Sequence, residues 1–170
     1  VRFVMMLVPS REGVKRYRDY ARKVNKLVQR INAKYGAPDD PAVVHVAGND
    51  QARALAAMRN CDVLLVNSVI DGMHLGAKEA AVVNEKHGVL VISRTAGVYQ
   101  QLGDGAALGV APLDLQETAD ALYRALTMPL AERVALSDEA CRRVEDHDVF
   151  AWLEDCLLYT SPSPRDRQKS

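Results

Sequence analysis

The stretch Asp62–Glu79, DVLLVNSVIDGMHLGAKE, decides how the rest of the chain folds. Val63–Val66 is a short, wholly apolar, β-branched-rich run, the pattern of a buried strand. Asn67–Asp71 supplies turn residues, and Gly72 offers a backbone freedom that other residues lack. From Leu75 onward the helix formers Leu75, Ala77, Lys78, Glu79 and Ala80 predict a helix. A strand, a Gly-containing loop and a helix start bring free backbone N–H groups to one point, where the helix dipole favours a phosphate. Glu79 lies four residues beyond Leu75, on the same helical face. A carboxylate there can accept hydrogen bonds from ribose hydroxyls, which is the logic of a nucleotide site in a doubly wound sheet. Many strand–loop–helix turns with this spacing bind nothing, so the residues themselves must carry the reading.

Working outward, Arg2–Val8 reads as a strand ended by Pro9, with Ser10 as the cap of a helix over Arg11–Tyr35. Val14, Tyr17, Ala21, Val24, Val28 and Ile31 recur three and four apart along it, and Gly36 is its expected stop. Val43–Ala47 is the next strand, and Gly48–Asn49–Asp50 the turn after it. Asp50 can cap a helix to about Arg59 that buries Ala54, Leu55 and Met58. The helix beginning at Leu75 is expected to end near Lys86–Gly88, before a strand at Val89–Ile92. A glycine-containing loop with a short helical turn near Val98–Leu102 leads to a last strand at Ala106–Val110. Asp114 caps a helix to about Met128. Pro129 suits the first turn of another, reaching about Glu145. Asp148 starts a final helix containing Phe150, Trp152 and Leu153. Met5, Met6 and Trp152 are expected in the core. This alternation predicts an α/β fold, a Rossmann-like parallel sheet with helices on both faces.

Composition narrows the function. The 170 residues allow one domain with a real core, and 48% apolar with 26% charged residues is ordinary for a globular protein. The 22 basic and 22 acidic side chains cancel, and no basic stripe with interleaved aromatics suggests nucleic acid. No apolar run approaches the roughly 20 residues of a membrane helix, and no signal peptide is evident. Cys61, Cys141 and Cys156 lack metal-ligand spacing and read as reduced thiols in a cytoplasmic protein. His45 reads as a packed strand residue, His87 as a turn residue and His147 as a helix-junction residue; no metal site is expected.

Several separate strings share one resemblance. DGMHLGAKE at Asp71–Glu79 closely resembles DGMNLVAKE of the retaining trehalose-6-phosphate synthases, differing by His74 for the usual Asn and Gly76 for the usual Val. VPSRE at Val8–Glu12, RINAKYG at Arg30–Gly36, GVLVIS at Gly88–Ser93, Ala96–Gly97 and ALTMPLAER at Ala125–Arg133 resemble the same family in the same order. The resemblance covers about Val1–Asp155. It implies the C-terminal, donor-binding half of a GT-B fold, cut at both ends, with residues 1–156 as a partial nucleotide-sugar domain. Residues 157–170 change character toward Pro and Ser, and CLLYTSPSPRD from Cys156 resembles a translated sequencing adapter. That stretch is expected to be a non-native, disordered tail.

The resemblance also implies roles. UDP-glucose would be the donor and glucose 6-phosphate the acceptor, with no metal or other cofactor. Asp71 would hydrogen-bond the donor glucose hydroxyls. Backbone N–H groups of Gly72, Met73, His74 and Leu75, leading into Gly76, would meet sugar and diphosphate, and Glu79 the ribose. Ala47, Gly48 and Asn49 match the region that seats uracil, and Arg11 could reach the nucleotide. Arg94 stands where the family commonly has Glu and receives no role. The acceptor-binding half and the basic diphosphate clamp would lie before Val1, so this chain alone is expected to bind UDP weakly and not turn over. A homo-oligomer is left open. The competing readings are a relative using another phosphorylated acceptor, including pseudo-sugars joined without a glycosidic bond, and a non-catalytic synthase-like regulatory module. An unrelated Rossmann-type redox domain is disfavoured by the lack of GxGxxG after a first strand.

Overall fold

The computed structural model describes residues 1–9 and 11–160. The expected cap at Ser10 therefore lies outside the described residues. The chain divides into two compact units, residues 1–57 and residues from 58 onward.

In the first unit, strand β1 (Phe3–Leu7) pairs in parallel with β2 (Val43–Ala47), Phe3 opposite Val43 and Leu7 opposite Ala47. Helix α1 (Lys15–Tyr35) connects them. It starts four residues later than its sequence suggests. Arg11 has a left-handed backbone (φ 51°), and its carbonyl accepts from Val14 N–H in a turn. Gly13, costly inside a helix, falls within that turn. At the other end, Asn32 of α1 both donates to the Val43 carbonyl (2.9 Å) and accepts from the Val43 N–H (2.8 Å), tying helix to strand. Gly36 follows as expected; a Cβ there would lie 2.8 Å from the Asn32 carbonyl oxygen. The apolar stripe of α1 is only partly covered: Val24, Val28 and Ile31 are half-buried, while Val14, Tyr17 and Leu27 are exposed. Helix α2 (Gln51–Asn60) crosses the unit boundary. Asp50 caps it by accepting from Arg53 N–H (3.0 Å), and Ala54, Leu55 and Met58 are half-buried rather than buried.

The second unit holds the buried core. Strands β3 (Val63–Val66), β4 (Val89–Ser93) and β5 (Leu108–Val110) form a parallel sheet in that order. Its middle strand β4 is buried along its whole length, as a continuous apolar run predicts. Alternation along β4 sorts the core into two layers. Leu90 and Ile92 pack with Ala77, Ala80 and Ala81 of α3 (Leu75–Val83), Leu102 of α4 (Tyr99–Leu102) and Ala140 of α6 (Leu130–Glu145). Val89 and Val91 pack on the opposite side with Ala125 of α5 (Leu115–Thr127) and Met128. Helices thus cover both faces, as expected. Among the described residues the expected single sheet is two hydrogen-bonded ladders, one in each unit.

Local side-chain chemistry sets the element ends. Helix α3 stops at Val83, short of the expected Lys86, because Asn84 offers the backbone other partners. Its Oδ1 accepts from Lys86 N–H (2.9 Å) and Gly88 N–H (2.7 Å), while its Nδ2 donates to the carbonyls of Met58 (2.7 Å) and Cys61 (2.9 Å). Burial pushes the Cys61 thiol pKa up. Asp114 caps α5 by accepting from Glu117 N–H (2.9 Å), as predicted. Pro129 is the residue before α6 rather than inside its first turn. The last strand begins at Leu108, not Ala106, since Ala106 and Ala107 donate to the Gly103 carbonyl in a turn.

Helix α6 is fastened by two arginines. Arg133 donates to the carbonyls of His87 (3.1 Å) and Lys86 (2.9 Å); Arg143 donates to those of Gln101 (3.2 Å) and Asp104 (2.9 Å). Glu139 holds Arg142 (2.8 Å) and Arg143 (2.6 Å), and these guanidiniums bring its carboxyl from an ordinary 4.5 down to about 2. A carboxylate with a depressed folded-state pKa stabilises the fold above its unfolded value and loses that contribution as pH falls through the folded one. Between pH 4.5 and about 2 the chain should therefore lose stability through Glu139. Circular dichroism against pH should show a shallower acid limb in that window for Glu139→Gln.

The final helix, α7 (Val149–Thr160), is capped by Asp148, which accepts from Phe150 and Ala151 N–H (both 2.9 Å). It runs four residues into the stretch whose composition suggested a disordered tail from 157, because Leu157–Thr160 contains no helix breaker. Residues 161–170 lie outside the described residues. Trp152 and Phe150 are exposed, at 63% and 71%, which corrects the expectation that Trp152 fills the core; Met5 and Met6 are half-buried. Among the described residues no helix is long and apolar enough to cross a membrane, and no three His, Cys, Asp or Glu side chains cluster to share a metal ion.

Candidate functional site

The loop between β3 and α3 is held by its neighbours rather than by its own turns. Val66, almost fully buried, ends β3 and fixes the point of departure. The loop then lies along the one that follows β4. Asp71 pairs with Ala96 as an isolated parallel bridge, and Gly97 N–H donates to the Asp71 carbonyl at 3.1 Å. Thr95 Oγ1 donates to the carbonyl of Val69 (2.6 Å) and shares a hydrogen bond with fully buried Ser93 Oγ (2.8 Å). Gly97 is exposed, yet a Cβ on it would stand 2.7 Å from the Gly72 carbonyl oxygen. The absence of a side chain at Gly97 thus lets the two loops touch. Ser93, Thr95 and Gly97 hold the site; the sequence marked Ser93 and Gly97 only as part of the family resemblance, gave neither this role, and did not mark Thr95. Ser-x-Thr after a buried strand was the available signal, since short hydroxyl side chains readily bond loop backbone.

Asp71 is the polar centre of this loop. Ser68 Oγ donates to its Oδ2 at 3.1 Å, and His74 Nε2 faces the same oxygen at 3.8 Å. Gly72, Met73 and Leu75 are exposed. The N–H groups of Gly72, Met73 and His74 donate to no backbone carbonyl among the described residues. The special backbone belongs to His74, with φ 46°, and not to Gly72 as expected. Histidine, with Asn and Asp, enters the left-handed region more readily than other non-Gly residues. His74 is the residue before α3, and its side chain makes no cap hydrogen bond. The first-turn N–H groups of α3 are thereby presented with no side chain seated on them.

Helix α3 sorts its residues as its periodicity predicts. Ala77, Ala80 and Ala81 are buried, while Leu75, Glu79 and Val82 are exposed. Glu79 therefore stands on the open face, one turn above the loop. Gly76 is half-buried; a Cβ there would lie 3.5 Å from Met58 Cε and 3.6 Å from His74 Cε1, ordinary contact. Alanine should accordingly fit, and Gly76→Ala should raise stability by up to about 1 kcal/mol through helix propensity. Urea unfolding checks this; a loss of stability would show that the site has no room.

The remaining sequence candidates are in the first unit. Arg11 donates to Tyr17 Oη (2.9 Å), with its guanidinium 5.5 Å from that ring's centroid. Ala47 ends β2, and Gly48, at φ 117°, donates to the Leu7 carbonyl; Asn49 is exposed in the turn after it. Arg94, assigned no role, donates to both oxygens of Glu117 (2.7 and 2.9 Å) and to the Gly109 carbonyl, linking β4 to α5. The Ala111 N–H, and then Arg94, hold the Glu117 carboxyl below its usual range.

Parallel strands with helices on both faces of the main sheet match solved structures of the GT-B glycosyltransferase class. The family model for glycosyltransferase family 20 matches residues 1–160, and the chain belongs to that family. It is 38% identical over 157 residues to the trehalose-6-phosphate synthase of Cronobacter sakazakii, covering 91% of this chain and 33% of that protein. It is 32% identical over 171 residues to the UDP-forming α,α-trehalose-phosphate synthase of Schizosaccharomyces pombe, covering 95% and 33%. Among solved structures it resembles the UDP-forming α,α-trehalose-phosphate synthase of Burkholderia xenovorans in complex with glucose-6-phosphate. The TM-score is 0.85 at 33% identity, with 92% of this chain and 35% of that one covered. The chain thus spans about a third of the length of these relatives.

Proposed function

We propose that this chain is the donor-binding half of a retaining glycosyltransferase that transfers glucose from UDP-glucose to glucose 6-phosphate, giving trehalose 6-phosphate and UDP. Asp71 would accept hydrogen bonds from the glucose hydroxyls. The N–H groups of Gly72, Met73, His74 and Leu75 would meet the sugar and the diphosphate, and Glu79 the ribose. Cleavage of the glucose–phosphate bond builds negative charge on UDP. Donors already in place at a helix start would stabilise that charge without reorganising, which is where such a site gains rate. In this reading the leaving phosphate also takes the acceptor proton, on the face it leaves, so configuration is retained without a metal ion or a covalent enzyme intermediate.

The observation that carries the reading is the docking of Asp71 on Ala96–Gly97 beside N–H groups of Gly72, Met73 and His74 that donate to no backbone carbonyl among the described residues. The UDP-forming relatives support the choice of nucleotide. The acceptor half and the basic groups that clamp the diphosphate would come from the rest of the enzyme. β1, β2, β3 and β5 each keep an edge unpaired by another strand among the described residues. We propose that strands from the rest of the enzyme pair with these edges, which otherwise invite association with other chains. A cytoplasmic setting, in keeping with the absence of a disulfide among the described residues, belongs to the same proposal.

Calorimetry with UDP tests the ribose contact. Glu79→Ala should weaken binding by about 1.5–3 kcal/mol, the worth of hydrogen bonds to a charged group. Equal binding by wild type and variant would remove Glu79 from the site.

A further inference from the structure

Three features of His74 remain unexplained by its backbone role. Its Nδ1 is buried and has no hydrogen-bond partner among the described residues. Its Nε2 faces Asp71 Oδ2 at 3.8 Å, longer than a formed hydrogen bond and close enough for a small ring movement to make one. Its ring lies against Gly76, where an added Cβ would already touch Cε1 at 3.6 Å and Nδ1 at 3.8 Å, with Met58 Cε closing the other side at 3.5 Å.

We propose that His74 and Gly76 form one coupled unit that positions Asp71 and so sets the preference of the site for the nucleotide sugar over the bare nucleotide. This rests on the reading of Asp71 as the glucose contact. Gly76 leaves a seat beside the first turn of α3, and the imidazole occupies it. Seated there, Nε2 is directed at Oδ2. Ser68 Oγ donates to that same oxygen. With Ser68 donating to Oδ2 and the imidazole facing that oxygen, Oδ1 is the oxygen left to accept from a sugar hydroxyl. The left-handed backbone at His74 fixes where the ring starts, so the direction of the side chain depends on what stands next to it.

A valine at position 76 cannot share this seat. Its Cβ alone reaches contact distance, and in a helix a β-branched side chain is held to essentially one χ1 rotamer, so it cannot turn both methyls aside. The ring would be driven out of its seat, and Nε2 would no longer be directed at Asp71 Oδ2. Asparagine in place of His74 keeps the tolerance for the left-handed backbone while removing the ring. The two residues are therefore expected to be tolerant as a pair and incompatible when mixed: His74 needs a small residue at 76, whereas Asn does not.

A double-mutant cycle in the full-length enzyme that carries this chain tests this, using UDP and UDP-glucose as probes in ligand-observed NMR titrations, with thermal unfolding of each variant as the folding control. Gly76→Val should lower the UDP-glucose to UDP affinity ratio about tenfold, the loss of a hydrogen bond to a charged group. In the His74→Asn background the same Gly76→Val change should alter the ratio by less than about twofold, since the partner in the coupling is gone. A purely structural effect of valine would lower the unfolding temperature alike in both backgrounds and leave the ratio alone. Equal changes in ratio in both backgrounds would overturn the coupling, as would no change in either. If Gly76→Val does not fold, His74→Asn alone decides: an unchanged ratio overturns the positioning role, and a lowered one supports it. Failure of wild type to bind UDP at all would instead overturn the donor-site reading, and this inference with it.

Discussion

Gly97→Ala should damage both the fold and the site, although the residue is exposed. The added Cβ would stand 2.7 Å from the Gly72 carbonyl oxygen and 3.2 Å from its carbonyl carbon, and neither atom belongs to a side chain that could swing away. The loops after β3 and β4 must separate. That breaks the Gly97 N–H to Asp71 carbonyl bond and the Asp71–Ala96 bridge. Forcing one extra carbon into such a contact costs typically about 1–3 kcal/mol. The effect on chemistry is expected to be larger, because Asp71 and the N–H groups of Gly72 to His74 move with the loop. A displacement near 1 Å at a reacting centre can reduce rate about a hundredfold. Turnover of the complete enzyme carrying this substitution, with thermal unfolding measured beside it, checks both parts. Unchanged stability together with unchanged turnover would show that the two loops are not held together as described.

Ile92→Ala should be the most destabilising single truncation in the second unit. Ile92 is fully buried at the centre of β4, hydrogen-bonded on both sides, and packs with Val66, Ala77, Ala80, Val98, Leu102 and Ala140. Ala77, Ala80 and Ala140 of that cluster have no long side chain to fold into a cavity. The expected cost is at the upper part of the range of about 2–5 kcal/mol seen for such deletions, while Ile92→Val should cost about 0.5–1.5 kcal/mol. Ile70→Ala provides the contrast: that side chain is 87% exposed. It should change stability by no more than about 0.5 kcal/mol. Urea unfolding of the three variants would test the ranking. A loss at Ile70 comparable to that at Ile92 would mean that the core lies elsewhere.

Element types were legible because they depend on neighbours in the chain. The apolar run Val63–Val66, the caps Asp50, Asp114 and Asp148, and the stop at Gly36 act over one to four residues, and each stands where its chemistry places it. Element ends were less legible where a side chain reaches a distant backbone group. Asn84 ends α3 early by bonding carbonyls 23 and 26 residues away, a choice that periodicity does not contain. The site divides in the same way. The anion seat at the helix start and Glu79 followed from a strand, a loop and a helical repeat, and Asp71 from the family resemblance. The clamp of Ser93, Thr95 and Gly97 did not, because its partners lie more than 20 residues back along the chain.

By itself the sequence determined a parallel α/β chain of glycosyltransferase family 20, the order of its strands and helices, and the strand–loop–helix junction at Asp71–Glu79. Only the tertiary structure decided that the strands form two ladders, that the left-handed residue is His74 and not Gly72, and that Trp152 is exposed. The division has a physical reason. Propensity, capping and periodicity are properties of adjacent residues. Strand pairing, backbone strain and burial are settled by groups that meet only once the chain has folded.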